Sequence, residues 1–134
     1  MTYLLDTHYI IWAITDTEQL SKSVKEILTN PENRIIVSTI SFWEIALKSS
    51  IGKLHIRGGS PEDFPDACAS VGFEIQPLPA KDSSTFHHLK ATHHKDPFDR
   101  MLIWLAIRNN YTLISVDKDI KKYKSEGLKV LEVR

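Results

Sequence analysis

The chain has 134 residues, and its seventeen Lys and Arg balance seventeen Asp and Glu. That length predicts one domain spanning 1–134, able to bury roughly two-thirds of its unfolded surface without covalent staples. A hydrophobic share of 42% excludes a disordered chain, and the zero net charge excludes a polycation that holds nucleic acid by bulk charge. The single cysteine, Cys68, excludes an internal disulfide and a thiolate zinc site, and reads as a small buried hydrophobe of a helix. No apolar run approaches the roughly 18 residues of a membrane span. The N-terminus lacks the basic and apolar regions of a secretory signal, so the expected location is the cytoplasm, with no membrane partner.

Five short β-like runs punctuate the sequence: Thr2–Leu5, Arg34–Ser38, Phe73–Pro77, Thr112–Val116 and Lys129–Val133. Helical segments lie between them, and this alternation predicts a parallel α/β sheet. Runs such as Tyr3-Leu4-Leu5 and Ile35-Ile36-Val37 suit strands covered on both faces. Gly52 and Gly58-Gly59 mark breaks. Ser60-Pro61-Glu62-Asp63 combines an N-cap, a first-turn proline and two acids on the helix dipole. Lys81–Lys95 is expected to hold a helix and a histidine-bearing loop. Asp96-Pro97-Phe98-Asp99 starts another helix, and the apolar run Met101–Ile107 predicts that it is buried nearly all round.

Chemistry-bearing acids recur at particular places in this pattern. Asp6 ends the first strand run, where the carboxyl edge of an α/β sheet forms the ligand crevice; capping of the following helix is the competing role. Asp117 closes the fourth run in the same way, with capping of a short Lys118–Tyr123 helix as its alternative, and Asp119 is a weaker candidate two residues on. Glu44 interrupts the apolar stretch Ile40–Leu47. It either pairs with Lys48 at i+4 on a solvent face, or is a buried hydrogen-bonded carboxylate, or lines a site. Asp96 and Asp99 fit a capping box, and Asp99 also sits at the mouth of the buried helix. Carboxylates gathered in one crevice repel each other unless cations lie between them. Hard oxygen donors suit Mg²⁺ or Mn²⁺, and two such ions about 4 Å apart bind both the attacking and the leaving oxygen of a phosphodiester.

Leu4-Leu5-Asp6-Thr7-His8, Ser41-Phe42-Trp43-Glu44-Ile45 with Lys48 and Gly52-Lys53-Leu54, Asp96-Pro97-Phe98-Asp99-Arg100, and Ser115-Val116-Asp117 follow one another in PIN-domain order. In this the chain resembles the PIN ribonucleases of the VapC toxin type, in the Asp-Pro-Phe-Asp-Arg subgroup. The resemblance covers essentially the whole chain and implies a single PIN-like domain. It implies a three-layer α/β/α fold with a parallel sheet of about five strands in order 3-2-1-4-5. It also implies Mg²⁺- or Mn²⁺-dependent cleavage of single-stranded or looped RNA, a cognate antitoxin and a homodimer, for which the Tyr9–Ile14 helix face is a candidate. Carried over, Asp6, Glu44, Asp99 and Asp117 are the catalytic and metal-binding acids. Ions held by Asp6, Asp99 and Asp117 would lower the pKa of a bound water, with Glu44 completing the cluster or orienting that water. In-line attack on phosphorus predicts a 5′-phosphate and a 3′-hydroxyl.

Asp96 and Asp119 stand as supporting acids, and the Thr7 and Ser115 hydroxyls, Arg100, Lys48 and His8 as candidates for phosphate or metal-water contacts. For Arg100 a salt bridge to Asp96 or Asp99 is an equal expectation. His8 departs from the small polar residue of many relatives. The His87-His88 and His93-His94 pairs lie outside the acid set and read as a solvated loop. Trp12, Trp43 and Trp104 lie in apolar helix runs and read as core before base-stacking surfaces.

Two other classes compete. A non-catalytic PIN-fold interaction module has no need of the full acid set. A phosphatase with Asp6 as nucleophile pairs its strand-end Asp with a second Asp two residues on, where this chain has His8.

Overall fold

The computed structural model describes residues 1–131. Strand β1 (Thr2–Leu5) leads into α1 (Thr7–Thr15), α2 (Lys22–Thr29), β2 (Arg34–Ser38), α3 (Thr39–Ser50), α4 (Phe64–Ser70) and β3 (Glu74–Gln76). Then come α5 (Ala80–Ser84), α6 (Pro97–Asn109), β4 (Thr112–Ile114) and β5 (Lys129–Val130), the last two joined by a 3₁₀ segment, Lys118–Glu126. The strands form one parallel sheet in the expected order, β3-β2-β1-β4-β5.

Strand periodicity splits the core into two. Leu4, Ile36 and Leu113 face one side, where α6 and the 3₁₀ segment bury Leu102, Ile103, Ile120 and Tyr123. Tyr3, Leu5, Ile35, Val37 and Ile114 face the other, covered by Tyr9 and Ile10 of α1, Val24 of α2 and Phe64 and Cys68 of α4. The central strands are therefore covered on both faces, and the architecture is the expected three-layer α/β/α arrangement. Cys68 is buried, and burial pushes its thiol up to about 11, which makes it an inert packing group. No helix among the described residues is long and apolar enough to cross a membrane.

Strand ends differ from expectation where side chains or helices take backbone N–H groups away from the ladder. The third strand is expected over Phe73–Pro77 but covers Glu74–Gln76: the Phe73 N–H goes to the Cys68 carbonyl at the end of α4, and Pro77 has none to give. The fourth is expected to reach Val116 but ends at Ile114. There the Val116 N–H turns to Asp6 Oδ2 (3.0 Å) and the Asp117 N–H to Ser115 Oγ (3.1 Å). Of the fifth, β5 occupies Lys129–Val130, and residues 132 and 133 lie outside the described residues.

The helix punctuation follows the marked residues. Ser60-Pro61 opens a 3₁₀ turn into α4, its Ser60 N–H bonded to Asp63 Oδ2 (2.8 Å). Gly52, at φ 77°, ends α3 in a conformation that costs other residues strain. Asp96 caps α6 by accepting the Phe98 and Asp99 N–H groups. Trp104 is buried in α6 and donates its indole N–H to the Asp82 carbonyl of α5 (2.9 Å), while Trp12 is half-buried. Trp43, expected in the core, is instead 60% exposed on α3 and packs edge-on against Phe98 at 5.2 Å. It faces away from the sheet because Ile40 and Ile45 are the α3 residues that enter the two cores.

Candidate active site

Asp6 leaves the C-terminal end of β1 with its main-chain N–H on the Ile114 carbonyl of β4 (3.0 Å), so rigid strand backbone aims it at the carboxyl edge of the sheet. Oδ1 accepts the Tyr9 N–H (3.0 Å) and Oδ2 the Val116 N–H. Asp6 is thus both the cap of α1 and a buried acid of the crevice. Burial raises its pKa, and the Tyr9 and Val116 N–H groups, the Ser115 hydroxyl and the His8 charge offset this only in part.

Asp99, in the first turn of α6, and Asp117, three residues beyond β4, line the same small cavity as Asp6, together with Ser115 and His94. Its volume of about 10 Å³ is at the lower limit for one water-sized occupant. The Asp99 carboxylate accepts no hydrogen bond among the described residues. Its pKa is pushed up to about 6 by burial and then by the neighbouring charges of Asp96, Glu44 and Asp6, against which His94 works. Asp117 goes the other way. Burial alone raises it, but the Asp119 N–H, the His94 hydrogen bond and charge, and Lys122 outweigh burial and hold it below the usual carboxylate range. It also caps the 3₁₀ segment, its Oδ1 accepting the Asp119 N–H (2.8 Å).

Glu44 sits beside this cavity and does not line it. It is 4% exposed, which excludes a solvent face; the expected i+4 pairing with Lys48 forms all the same, on a buried and hydrogen-bonded carboxylate. Oε1 accepts the Thr7 hydroxyl proton (2.6 Å), and Oε2 accepts from the Lys48 ammonium. Thr7 also lies 3.0 Å from Ser41 Oγ. Lys48 Nζ is 3.6 Å from Asp96 Oδ2 and 5.8 Å from the centre of the Phe98 ring. Burial lowers the Lys48 pKa, but the Glu44 hydrogen bond and charge, then Asp96 and Asp99, raise it overall, so the ammonium stays charged. Glu44, Lys48 and Asp96 line a separate cavity of about 370 Å³ with Thr7, His8 and Lys53.

Three expectations are corrected. His94 is not part of a solvated loop: it is buried, with Nε2 2.5 Å from Asp117 Oδ2. The Tyr123 hydroxyl oxygen accepts the His94 main-chain N–H (2.9 Å) and lies 3.2 Å from Nδ1, so both ring nitrogens of His94 are engaged. His87, His88 and His93 are exposed as expected. Arg100 bridges neither Asp96 nor Asp99. Its guanidinium donates to the Ala91 (2.8 Å), Leu89 (3.2 Å) and His94 (3.4 Å) carbonyls and lies 5.3 Å from the Phe86 ring centre, buttressing the loop that carries His94. Asp119 is exposed, paired with Lys122 at 3.4 Å, and stays out of the cavity. His94 is the group that sequence reasoning missed. Its only signal was a histidine two residues before the Asp96 cap.

The donor set fits a hard divalent cation in its chemistry. Three carboxylates share a cavity of ionic size, and the one with no hydrogen-bond donor is destabilised by its acidic neighbours, a conflict that a cation relieves. As the side chains stand, no three His, Cys, Asp or Glu residues among those described converge to hold a metal ion, and one Asp117 oxygen is turned to His94.

No curated protein matches the chain. Among solved structures, VapBC2 from Rickettsia felis, bound to a promoter DNA fragment, matches with a TM-score of 0.70 at 21% identity over 100% of both chains. VapBC-1 from nontypeable Haemophilus influenzae gives 0.66 at 17% over 98% of both. VapBC-5 from Mycobacterium tuberculosis, a member of the VapBC family of toxin-antitoxin systems, gives 0.62 at 12%, again over 98% of both. At these identities the likeness is one of fold. The PIN domain family model matches residues 3–126, nearly the whole length, and the chain belongs to the PIN domain family.

Proposed function

We propose that the chain is a metal-dependent endoribonuclease, a single PIN domain over 1–134 that hydrolyses RNA phosphodiester bonds in the cytoplasm as the toxin of a type II toxin–antitoxin pair. The observation that carries this reading is the shared cavity of Asp6, Asp99 and Asp117 at the carboxyl edge of the sheet, two of them with raised pKa values. In it these three acids would hold Mg²⁺ or Mn²⁺, with Glu44 beside them. Such an ion, when bound, supplies Lewis acidity that lowers the pKa of a water and offsets charge on the phosphoryl oxygens. The strand-anchored Asp6 and the helix-capping Asp117 keep their oxygens in fixed directions, so little reorganisation is needed when charge develops on phosphorus. Asp99, without a competing donor, is the acid freest to adjust. A water giving up its proton to solvent would attack phosphorus in line, and the ribose 3′-oxygen would leave and take up a proton, so the products carry a 5′-phosphate and a 3′-hydroxyl.

A cognate antitoxin and a second copy of the chain are the proposed protein partners, the first supported by the VapBC likeness in fold. Of the helix face expected to pair two copies, Tyr9 and Ile10 are buried in the core and Ile11–Ile14 are half-buried against it, so a dimer would use the surface those four still expose.

The test is RNA cleavage by wild type and Asp6→Ala with Mn²⁺ and with EDTA, with the new ends identified. Cleavage by wild type with Mn²⁺ alone, leaving 5′-phosphates, is the expected result. Equal cleavage in all four reactions, or 2′,3′-cyclic phosphate ends, overturns the reading.

A further inference from the structure

We propose that the Lys48 ammonium is the resident cation of Glu44 and Asp96, so that Glu44 is a positioning residue and not a metal ligand, and the site takes one divalent ion on Asp6, Asp99 and Asp117. This rests on the metal-dependent reading above and replaces the two ions that four clustered acids suggest by themselves. Both Glu44 oxygens are already engaged, Oε1 by the Thr7 hydroxyl and Oε2 by Lys48. The carboxylate is almost completely buried, so these two donors stand where water would otherwise satisfy it. The i, i+4 spacing on α3 brings Lys48 over Glu44, and the ammonium reaches on toward Asp96 and over the Phe98 ring. Withdrawing it would leave a buried carboxylate without its cation.

The geometry separates the two charge systems. Asp6, Asp99 and Asp117 share one cavity; Glu44, Lys48 and Asp96 line the neighbouring one. A dication placed on Glu44 would have to displace Lys48 or sit against it, and like charges at that range oppose each other. Lys48 therefore supplies the cation of the second pair of acids without a second metal. It also points Glu44 at Thr7, the residue that follows Asp6 in the chain, so the pair braces the start of α1 where the metal-binding acid emerges.

Counting Mn²⁺ bound per full-length chain, without RNA, by the electron-paramagnetic-resonance signal of the free ion tests this. The expected results are one ion on wild type, one on Glu44→Gln, and loss of affinity by about tenfold or more on Asp99→Asn. Lys48→Met, which leaves Glu44 and Asp96 without their cation, is expected to admit a second ion, and Lys48→Arg to return the count to one. Circular dichroism checks that each variant is folded, and Glu44→Gln decides the matter if Lys48→Met is not. Two ions on wild type, a Glu44→Gln variant as weakened as Asp99→Asn, or a folded Lys48→Met with one ion would overturn this inference and leave the nuclease reading standing. No Mn²⁺ on wild type would overturn the metal reading and this inference together.

Discussion

At the scale of single residues, capping and function are not rivals. Asp6 caps α1 and Asp117 caps the 3₁₀ segment, yet both line the cavity with Asp99. One carboxylate oxygen has lone pairs to spare after accepting an N–H, so a cap at the carboxyl edge of the sheet is also a pre-aimed ligand. Asp99 differs in having no donor among the described residues. Its folded-state pKa, about 6, lies above the ordinary value of 3.8, so ionising it costs the metal-free fold. The stability associated with its protonated form is full below pH 4 and is lost as pH rises through 6. Asp99→Asn should therefore stabilise the metal-free protein at pH 7, by about 1 kcal/mol once solvent screening of this part-exposed group is allowed for. The gain should vanish near pH 4. Thermal melts in EDTA at the two pH values check this, and equal shifts at both would refute it. Mn²⁺ at pH 7 should reverse the sign, because the variant loses a ligand.

Among the elements, the loop between the Phe86–His88 turn and α6 is held in place by charges from distant segments. Arg100 donates to three of its carbonyls, and Glu126 accepts the Lys90 (2.7 Å) and Ala91 (3.0 Å) N–H groups. The clamp presents His94 to Asp117. Arg100→Ala should cost about 2 kcal/mol, because it strands carbonyls that a charged donor had satisfied, as measured by urea unfolding. Amides of residues 89–95 should lose hydrogen-exchange protection ahead of the sheet. An unchanged exchange pattern would mean that Arg100 acts elsewhere, on a phosphate for instance. The elements themselves were largely legible. Thr2–Leu5 and Arg34–Ser38 coincide with observed strands, because near-continuous apolar runs bounded by caps leave few alternatives. The ends of β3 and β4 were not, since what stops them is an N–H captured by Cys68 or by the Asp6 and Ser115 side chains.

For the molecule as a whole, the opening balance of charge changes meaning. Four of the seventeen acids, Asp6, Glu44, Asp99 and Asp117, are gathered at one edge of the sheet, so the remainder of the chain holds four more cations than anions. A divalent ion in the crevice would cancel most of the negative charge of Asp6, Asp99 and Asp117 and so weaken the repulsion of a phosphate backbone. RNA affinity should accordingly rise when Mn²⁺ is added to the EDTA-treated protein. A fluorescence-anisotropy titration with a short single-stranded RNA and Asp6→Asn, Asp99→Asn double-variant protein, which cannot cleave on the proposed mechanism, reads the neutralised state directly. That variant should bind better than wild type in EDTA, and equal affinities would count against the charge argument.

The sequence by itself determined the alternating layers, the family resemblance and the positions of the acids, because strand and helix periods, caps and prolines act over a few residues. Only the tertiary structure decided how those acids are used. It divided them between two cavities, gave Glu44 to Lys48 and Thr7, and brought His94 to Asp117 across 23 positions of chain. It also turned Arg100 onto the loop and Trp43 toward solvent. The physical reason is the same in each case. A charged or polar side chain takes whichever partner the packed core leaves within about 3 Å, and that choice is made by segments far apart in the chain.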